Sequence, residues 1–265
     1  MKKRNSFGQY LAEFFGIFFF LVIGLSTVAV LVTGMSDLSF SWLAASWGMA
    51  VSLAIFITAG ISGAHLNPAV TISLAIFGGF DKRKVLPYIF AQMLGAFTAA
   101  ALVYALFRSQ FAGAAPIFFA TGLGRGVSMP LAFLVETVLT FMLMMVIYAV
   151  TDSNNPAAPR FGLGVVCIGA IIAIGGISLG PLTGFAMNPA RDLGPRLFAM
   201  LAGGGTGALG PNAYGLIVPI FGTILGAILA GILYKGVLAR YYPSPVIERH
   251  DEVWEVNESS KESNK

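Results

Sequence analysis

Two asparagines set in apolar sequence are the residues best suited to chemistry in this chain. The stretch "SGAHLNPAV" at 62–70 recurs as "TGFAMNPAR" at 183–191, with Gly, Asn, Pro and Ala in the same places. Asn67 and Asn188 each bring a neutral side chain that carries both N–H donors and a carbonyl acceptor. Asn is also a favoured helix N-cap, and Pro suits the first helical position because the N–H it lacks would be unpaired there anyway. Pro68-Ala69 and Pro189-Ala190 therefore start helices instead of breaking them. The first, "NPAVTISLAIF", would be about 16 Å long at 1.5 Å per residue, half a membrane. The second, "NPARDLGPRLFAML", has Asp192 in its first turn, where a carboxylate suits the positive helix end.

Two such half-helices meeting N-terminus to N-terminus would create an electropositive point near the membrane midplane, with a free NH₂ donor from each Asn aimed at it. Irregular backbone at that depth persists only where protein or a watery cavity receives its polar groups. Gly63, Ala64, His65 and Leu66 before the first Asn, and Gly184, Phe185, Ala186 and Met187 before the second, are thus expected to present carbonyls along a pore. Hydroxyls and water can accept from the Asn pair, whereas cations and protons meet a barrier.

The charged residues fit the same plan. Glu13 lies 54 residues before Asn67, and Glu136 lies 52 residues before Asn188. That symmetry suits a bracing role, each carboxylate accepting N–H groups of the loop ahead of its Asn; proton coupling is the alternative for intramembrane acids. Arg191 would be an Arg at membrane depth, which is costly and functional by default. His65 reads as a loop brace whose carbonyl matters more than its ring, and "QMLG" at 92–95 as helix packing. Cys167 is the only cysteine, so no internal disulfide can form. With two His and one Cys, the inventory is too poor for a metal centre or catalytic cluster, and no metal, cofactor or enzyme activity is expected.

The elements that must position these residues are membrane spans. The chain is 57% apolar and 11% charged, with mean hydropathy +0.81, against about 25% charged residues in soluble domains. Apolar runs at 8–32, 40–58, 85–107, 130–150, 161–178 and 214–234 approach or exceed the roughly 17 residues that a spanning helix needs. Lys2, Lys3 and Arg4 precede the first run, yet it is longer than a signal core of about 7–15 residues and contains Glu13, so it is expected to stay as a span. With the N-terminus inside, twelve basic residues fall on the cytoplasmic side and four, Arg108, Arg125, Arg191 and Arg196, outside. The positive-inside tendency then places both termini in the cytoplasm. The net charge of +4 reflects that topology, and no nucleic-acid partner is read from it.

Each half carries a Glu in its leading span, a second span, an Asn-Pro-Ala segment and a third span. Because three is odd, the second half must be inverted. The fold class expected is an all-α membrane protein, six transmembrane helices plus two re-entrant half-helices in two inverted repeats. One domain is expected over 1–242, with repeats near 8–107 and 130–239, and 243–265 as a flexible cytoplasmic tail.

These features, with the phrases "SGAHLNPAV" and "GPLTGFAMNPARD", resemble the aquaporin family, and within it the glycerol uptake facilitator branch. The resemblance implies a homotetramer in membrane lipid, one pore per subunit, passing glycerol, water or other small uncharged solutes passively. It also implies an outer constriction formed by Trp47, Gly176, Phe185 and Arg191. Water-selective members typically place His where Gly176 stands, and the only histidines here are His65 and His250. Trp47 and Phe185 would form an apolar corner for a carbon chain, with Arg191 donating to hydroxyls from the opposite side. The simpler readings are Trp47 as an interface anchor and Gly176 as a packing position. Asp192 after Arg191 and the long Gly-rich connection after the second half-helix also resemble the glycerol branch, whereas the connection at 108–129 is short for it. Water alone, dihydroxyacetone, undissociated lactic acid and urea stay open as permeants. An ion-coupled transporter would need a midplane cluster of ionisable groups beyond the two Glu.

Overall fold

A computed structural model describes residues 6–160 and 162–242. The expected tail at 243–265 and Phe161, the expected start of the fifth span, lie outside the described residues.

Helix α1 (Ser6–Thr33) leads into α2 (Phe40–Ser62), which Ser39 caps by accepting from the Trp42 N–H. Gly63 closes α2 at φ 89°, a left-handed conformation open to glycine at no steric cost. The half-helix α3 (Pro68–Phe77) follows, then α4 (Val85–Phe107). The second half repeats the order with α5 (Met129–Thr151), α6 (Leu163–Ser178), the short α7 (Gly180–Thr183) and the half-helix α8 (Pro189–Ala199). It ends in α9 (Tyr214–Ile217) and α10 (Thr223–Gly236).

Two expected spans differ in detail. At 16 residues, α6 is about 24 Å long, short of a hydrocarbon core of about 30 Å, and the chain goes on through α7 towards the second Asn. The last span is not one regular helix. Pro219 supplies no N–H, and Val218–Gly222 widens into a π turn that joins α9 to α10. The described helices of Ser6–Thr33, Phe40–Ser62, Lys82–Phe107, Met129–Thr151 and Pro211–Tyr241 are long and apolar enough to cross a membrane.

The packing repeats across the halves. Helix α1 lies against α2 and α4, as α5 lies against α6 and α10, and α2 joins the halves by packing on α6. Each half-helix crosses over: α3 rests on α10 and α8 rests on α4. Lipid supplies no hydrophobic force between helices, so small residues must let backbones meet. A Cβ on Gly48 would stand 2.3 Å from the Gly169 carbonyl. The two halves are therefore locked face to face at α2 and α6.

Candidate solute pathway

The two loops that precede the half-helices share a backbone design. Gly63, Ala64 and Leu66 have positive φ, as do Gly184, Phe185 and Met187 at the matching places. For the residues other than glycine this region is uncommon, and it persists only where the surroundings over-determine it. The carboxylates supply that determination. Glu13 accepts from the His65 N–H at 3.0 Å and the Leu66 N–H at 2.7 Å. Glu136 accepts from the Ala186 N–H at 2.8 Å and the Met187 N–H at 2.9 Å. Both are fully buried, and drawing the N–H groups to one side leaves the carbonyls free to turn to the other.

Each Asn caps its half-helix through its carbonyl oxygen, Asn67 accepting from the Ala69 N–H and Asn188 from the N–H groups of Ala190 and Arg191. Their NH₂ groups are not wholly free, as the sequence suggested. Asn67 Nδ2 donates to the Met187 carbonyl at 2.8 Å, and Asn188 Nδ2 donates to the Leu66 carbonyl at 2.8 Å. One hydrogen of each thus ties the opposite loop, because both loops meet at one point and bring their carbonyls within reach; the second hydrogen is left for the lumen. Pro68, Ala69, Pro189 and Ala190 are buried beneath.

Both Asn line a cavity of about 480 Å³. Trp47, Phe185 and Arg191 border it at one end, and Pro159 and Gly162, between α5 and α6, border it at the other. Gly63, Ala64, His65, Leu66, Ala186, Met187 and both Asn line it, as do Val51, Ile55, Leu143 and Ile172. The pathway therefore combines loop backbone and two Asn side chains with apolar side chains.

Three expectations, for Gly184, Gly176 and Arg191, need correction here. Gly184 is outside the cavity wall; its left-handed turn and its N–H to the Gly180 carbonyl serve the chain reversal after α7. Gly176 is also outside the wall. A Cβ there would stand 2.9 Å from Ala44 and 3.1 Å from the Phe185 ring, so its lack of a side chain makes room for that ring. Arg191 does not sit across from the aromatic corner. Its guanidinium lies over the Trp47 ring, 4.2 Å from the centroid, where the π face attracts a desolvated cation. His65, expected as a loop brace, is held by its ring as well as its backbone, with Nδ1 3.2 Å from the Thr71 hydroxyl and centroids 4.5 Å from Phe80 and 5.0 Å from Tyr88.

Trp47 and Phe185 meet edge to face at 6.2 Å and 82°. Gly24 lets the indole lie flat on α1, since a Cβ there would be 2.6 Å from it. Arg191 Nη1 donates to the Phe119 carbonyl at 3.3 Å. Arg191 Nε and Trp47 Nε1 are buried and make no hydrogen bond among the described residues.

Further residues escape the motif reading. Gln92, taken for packing, donates to Glu13 at 2.8 Å and to Thr71 at 3.1 Å. Asp192 and Arg196 form a buried ion pair at 2.5 Å, which their spacing of four on a helix could have suggested. The role of Phe119 is carried by its carbonyl and leaves no mark in the side-chain pattern. At the far end of the cavity Asp152 accepts from Lys235 at 2.7 Å, and that hydrogen bond holds its carboxyl below the usual range.

The major intrinsic protein family matches residues 1–234. The glycerol uptake facilitator protein of Escherichia coli (strain K12) is 43% identical over 260 residues, covering 90% of this chain and 91% of that protein. That of Pseudomonas aeruginosa is 45% identical over 255 residues, covering 90% and 91%. A propanediol uptake facilitator of Citrobacter freundii is 41% identical over 252 residues, covering 89% and 93%. The X-ray structure of the aquaglyceroporin from Plasmodium falciparum superposes with a TM-score of 0.82 at 32% identity, covering 88% of this chain and 97% of that one. With paired Asn-capped half-helices meeting on one cavity, and with this likeness over nearly its whole length, the chain belongs to the major intrinsic protein family.

Proposed function

We propose that the protein is a passive multi-pass membrane channel for glycerol and other small uncharged solutes, with water, that excludes ions and protons. The observation that carries this reading is the chemistry at one end of the cavity. Two apolar rings stand beside two buried N–H donors, Arg191 Nε and Trp47 Nε1, that the described residues leave unpartnered. A solute with a carbon face and hydroxyls would satisfy both, and buried donors need a partner. Trp47, Phe185 and Arg191 act as the selective constriction, with Gly176 seating Phe185. The fixed cation and the two half-helix N-termini oppose cations and protons, while the second hydrogens of Asn67 and Asn188 hand hydroxyls past the midplane.

The relatives named for glycerol and propanediol uptake support a small polyol. Residues 1–242 form one channel domain, its apolar outer faces in lipid and its subunits in a homotetramer. Basic residues favour cytoplasmic termini, so Trp47 and Arg191 face outwards and Pro159 inwards. Stopped-flow light scattering on proteoliposomes, comparing water, glycerol and urea, tests the reading: glycerol flux well above that of empty liposomes is expected. Conduction of water with exclusion of glycerol would replace it with a water channel.

A further inference from the structure

We propose that Thr121, clamped by the Asp192–Arg196 pair, is a positioning residue that sets the width of the constriction from outside it. The proposal rests on the channel reading above and adds residues that do not line the cavity.

Arg191 is held loosely for a buried guanidinium. Its hydrogen bond to the folded chain runs from Nη1 to the Phe119 carbonyl, and its other neighbour is the face of Trp47. Asp192, next in sequence and fully buried, points elsewhere. Its Oδ1 accepts from the Thr121 N–H and the Thr121 hydroxyl, both at 2.7 Å, and Oδ2 accepts from Arg196 Nε at 2.5 Å. Arg196 also donates to the Thr121 carbonyl and, at 2.7 Å, to the Ala208 carbonyl. Every polar group of Thr121 is therefore engaged by a charged side chain of α8, and such bonds are about twice as strong as neutral ones.

Two residues before Thr121 lies Phe119, whose carbonyl holds Arg191. Just after it, the Gly122 N–H donates to the Thr183 carbonyl at 3.1 Å and the Gly124 N–H to the Leu182 carbonyl at 2.9 Å. Thr183 directly precedes the Gly184-Phe185 turn. The segment 119–124 thus reaches both the cation and the ring of the constriction, and Thr121 is where it is fixed to the half-helix. A shift of this segment moves Arg191 and Phe185 relative to Trp47 without altering any side chain that a solute touches.

The test is Thr121→Val, which keeps the volume and the backbone N–H and removes one donor to Asp192. Glycerol flux is measured against that of a five-carbon polyol in proteoliposomes carrying equal amounts of folded protein. The ratio is expected to move roughly threefold or more in Thr121→Val and to return to the wild-type value in Thr121→Ser. Thr121→Cys, a weaker donor, replaces Thr121→Val if the latter does not accumulate. A wild-type ratio in the variant overturns the proposal. So does loss of folded protein in both Val and Cys variants with Thr121→Ser normal, since the role is then purely structural. If the wild type itself excludes glycerol, the channel reading for polyols has failed instead, and the clamp is judged by the water-to-urea ratio of the same variants.

Discussion

The two half-helices begin alike and continue differently. In both, an Asn carbonyl caps the first turn, a Pro follows, and a buried Glu turns two loop N–H groups away from the lumen. After that the halves part. The first continues with Val70 on the cavity wall and Thr71 bonded to Gln92 and His65, and Pro68–Phe77 carries no charged side chain of its own. The second continues with Arg191, Asp192 and Arg196, two fixed cations and an anion within six residues. The repeated features are those needed to end a helix inside a membrane without orphaned backbone. The unrepeated ones provide charge, and of them Arg191 reaches the cavity beside Trp47 and Phe185. On the proposed reading, architecture is duplicated and selectivity is not.

The strongest way to break that comparison is to remove the shared part. Glu13→Ala and Glu136→Ala each strip the acceptor from two buried N–H groups, at about 1–3 kcal/mol apiece. Folded protein recovered in detergent, measured by size-exclusion chromatography, should fall steeply and by similar amounts in both. Normal recovery with loss of only a pH-dependent flux would revive the coupling role.

Next comes the unshared part. Arg191→Ala and Val70→Ala occupy equivalent places, yet only the first should raise proton leak and admit larger solutes. The expected rise in leak is about tenfold or more, since one fixed charge in a narrow site contributes more than 1.4 kcal/mol. A pH-sensitive dye inside liposomes reads it, and equal leak in the two variants would remove the special role of Arg191.

A smaller effect sharpens the account of Gly176. Gly176→Ala should destabilise by about 1–3 kcal/mol through overpacking against Ala44 and the Phe185 ring, visible as a lower melting temperature in detergent. Adding Phe185→Leu should relieve the part of it that comes from the ring, leaving the contact with Ala44. If Gly176→Ala is neutral, the glycine serves something other than the ring. The companion change, His at 176 with a small residue at 185, should shift the pore from glycerol towards water.

The least effect is expected at the inner end. The hydrogen bond from Lys235 favours the ionised form of Asp152 and holds its pKa below the ordinary value, so the pair stabilises the fold above the ordinary carboxylate range. That contribution is lost as pH falls through the depressed value. The melting-temperature margin of the wild type over Lys235→Met, worth below about 1 kcal/mol for a partly exposed pair, should therefore shrink on acidification. A margin that grows instead would contradict the assignment.

Legibility followed the same division. Helix starts at Asn67 and Asn188 were readable because capping is local, needing only a side-chain oxygen and a following Pro. The bracing by Glu13 and Glu136 was readable because it occurs twice at nearly equal spacing. What escaped has no local signature. Arg191 over Trp47, Phe119 offering a carbonyl and Gly176 yielding to a ring depend on how α2, α6 and the 119–124 segment converge. The free-donor picture of the Asn pair failed for a related reason: a contact between residues 120 apart in sequence cannot be read from either motif alone. The π turn in the last span was foreseeable from Pro219, but the long apolar run around it concealed the irregularity.

The most direct measurement is glycerol flux through the wild type in proteoliposomes, with and without a protonophore, followed by stopped-flow light scattering. A passive polyol channel predicts fast glycerol entry that is unchanged when the proton gradient collapses, with little proton movement of its own. Glycerol entry no faster than in empty liposomes, or entry abolished by the protonophore, would contradict it.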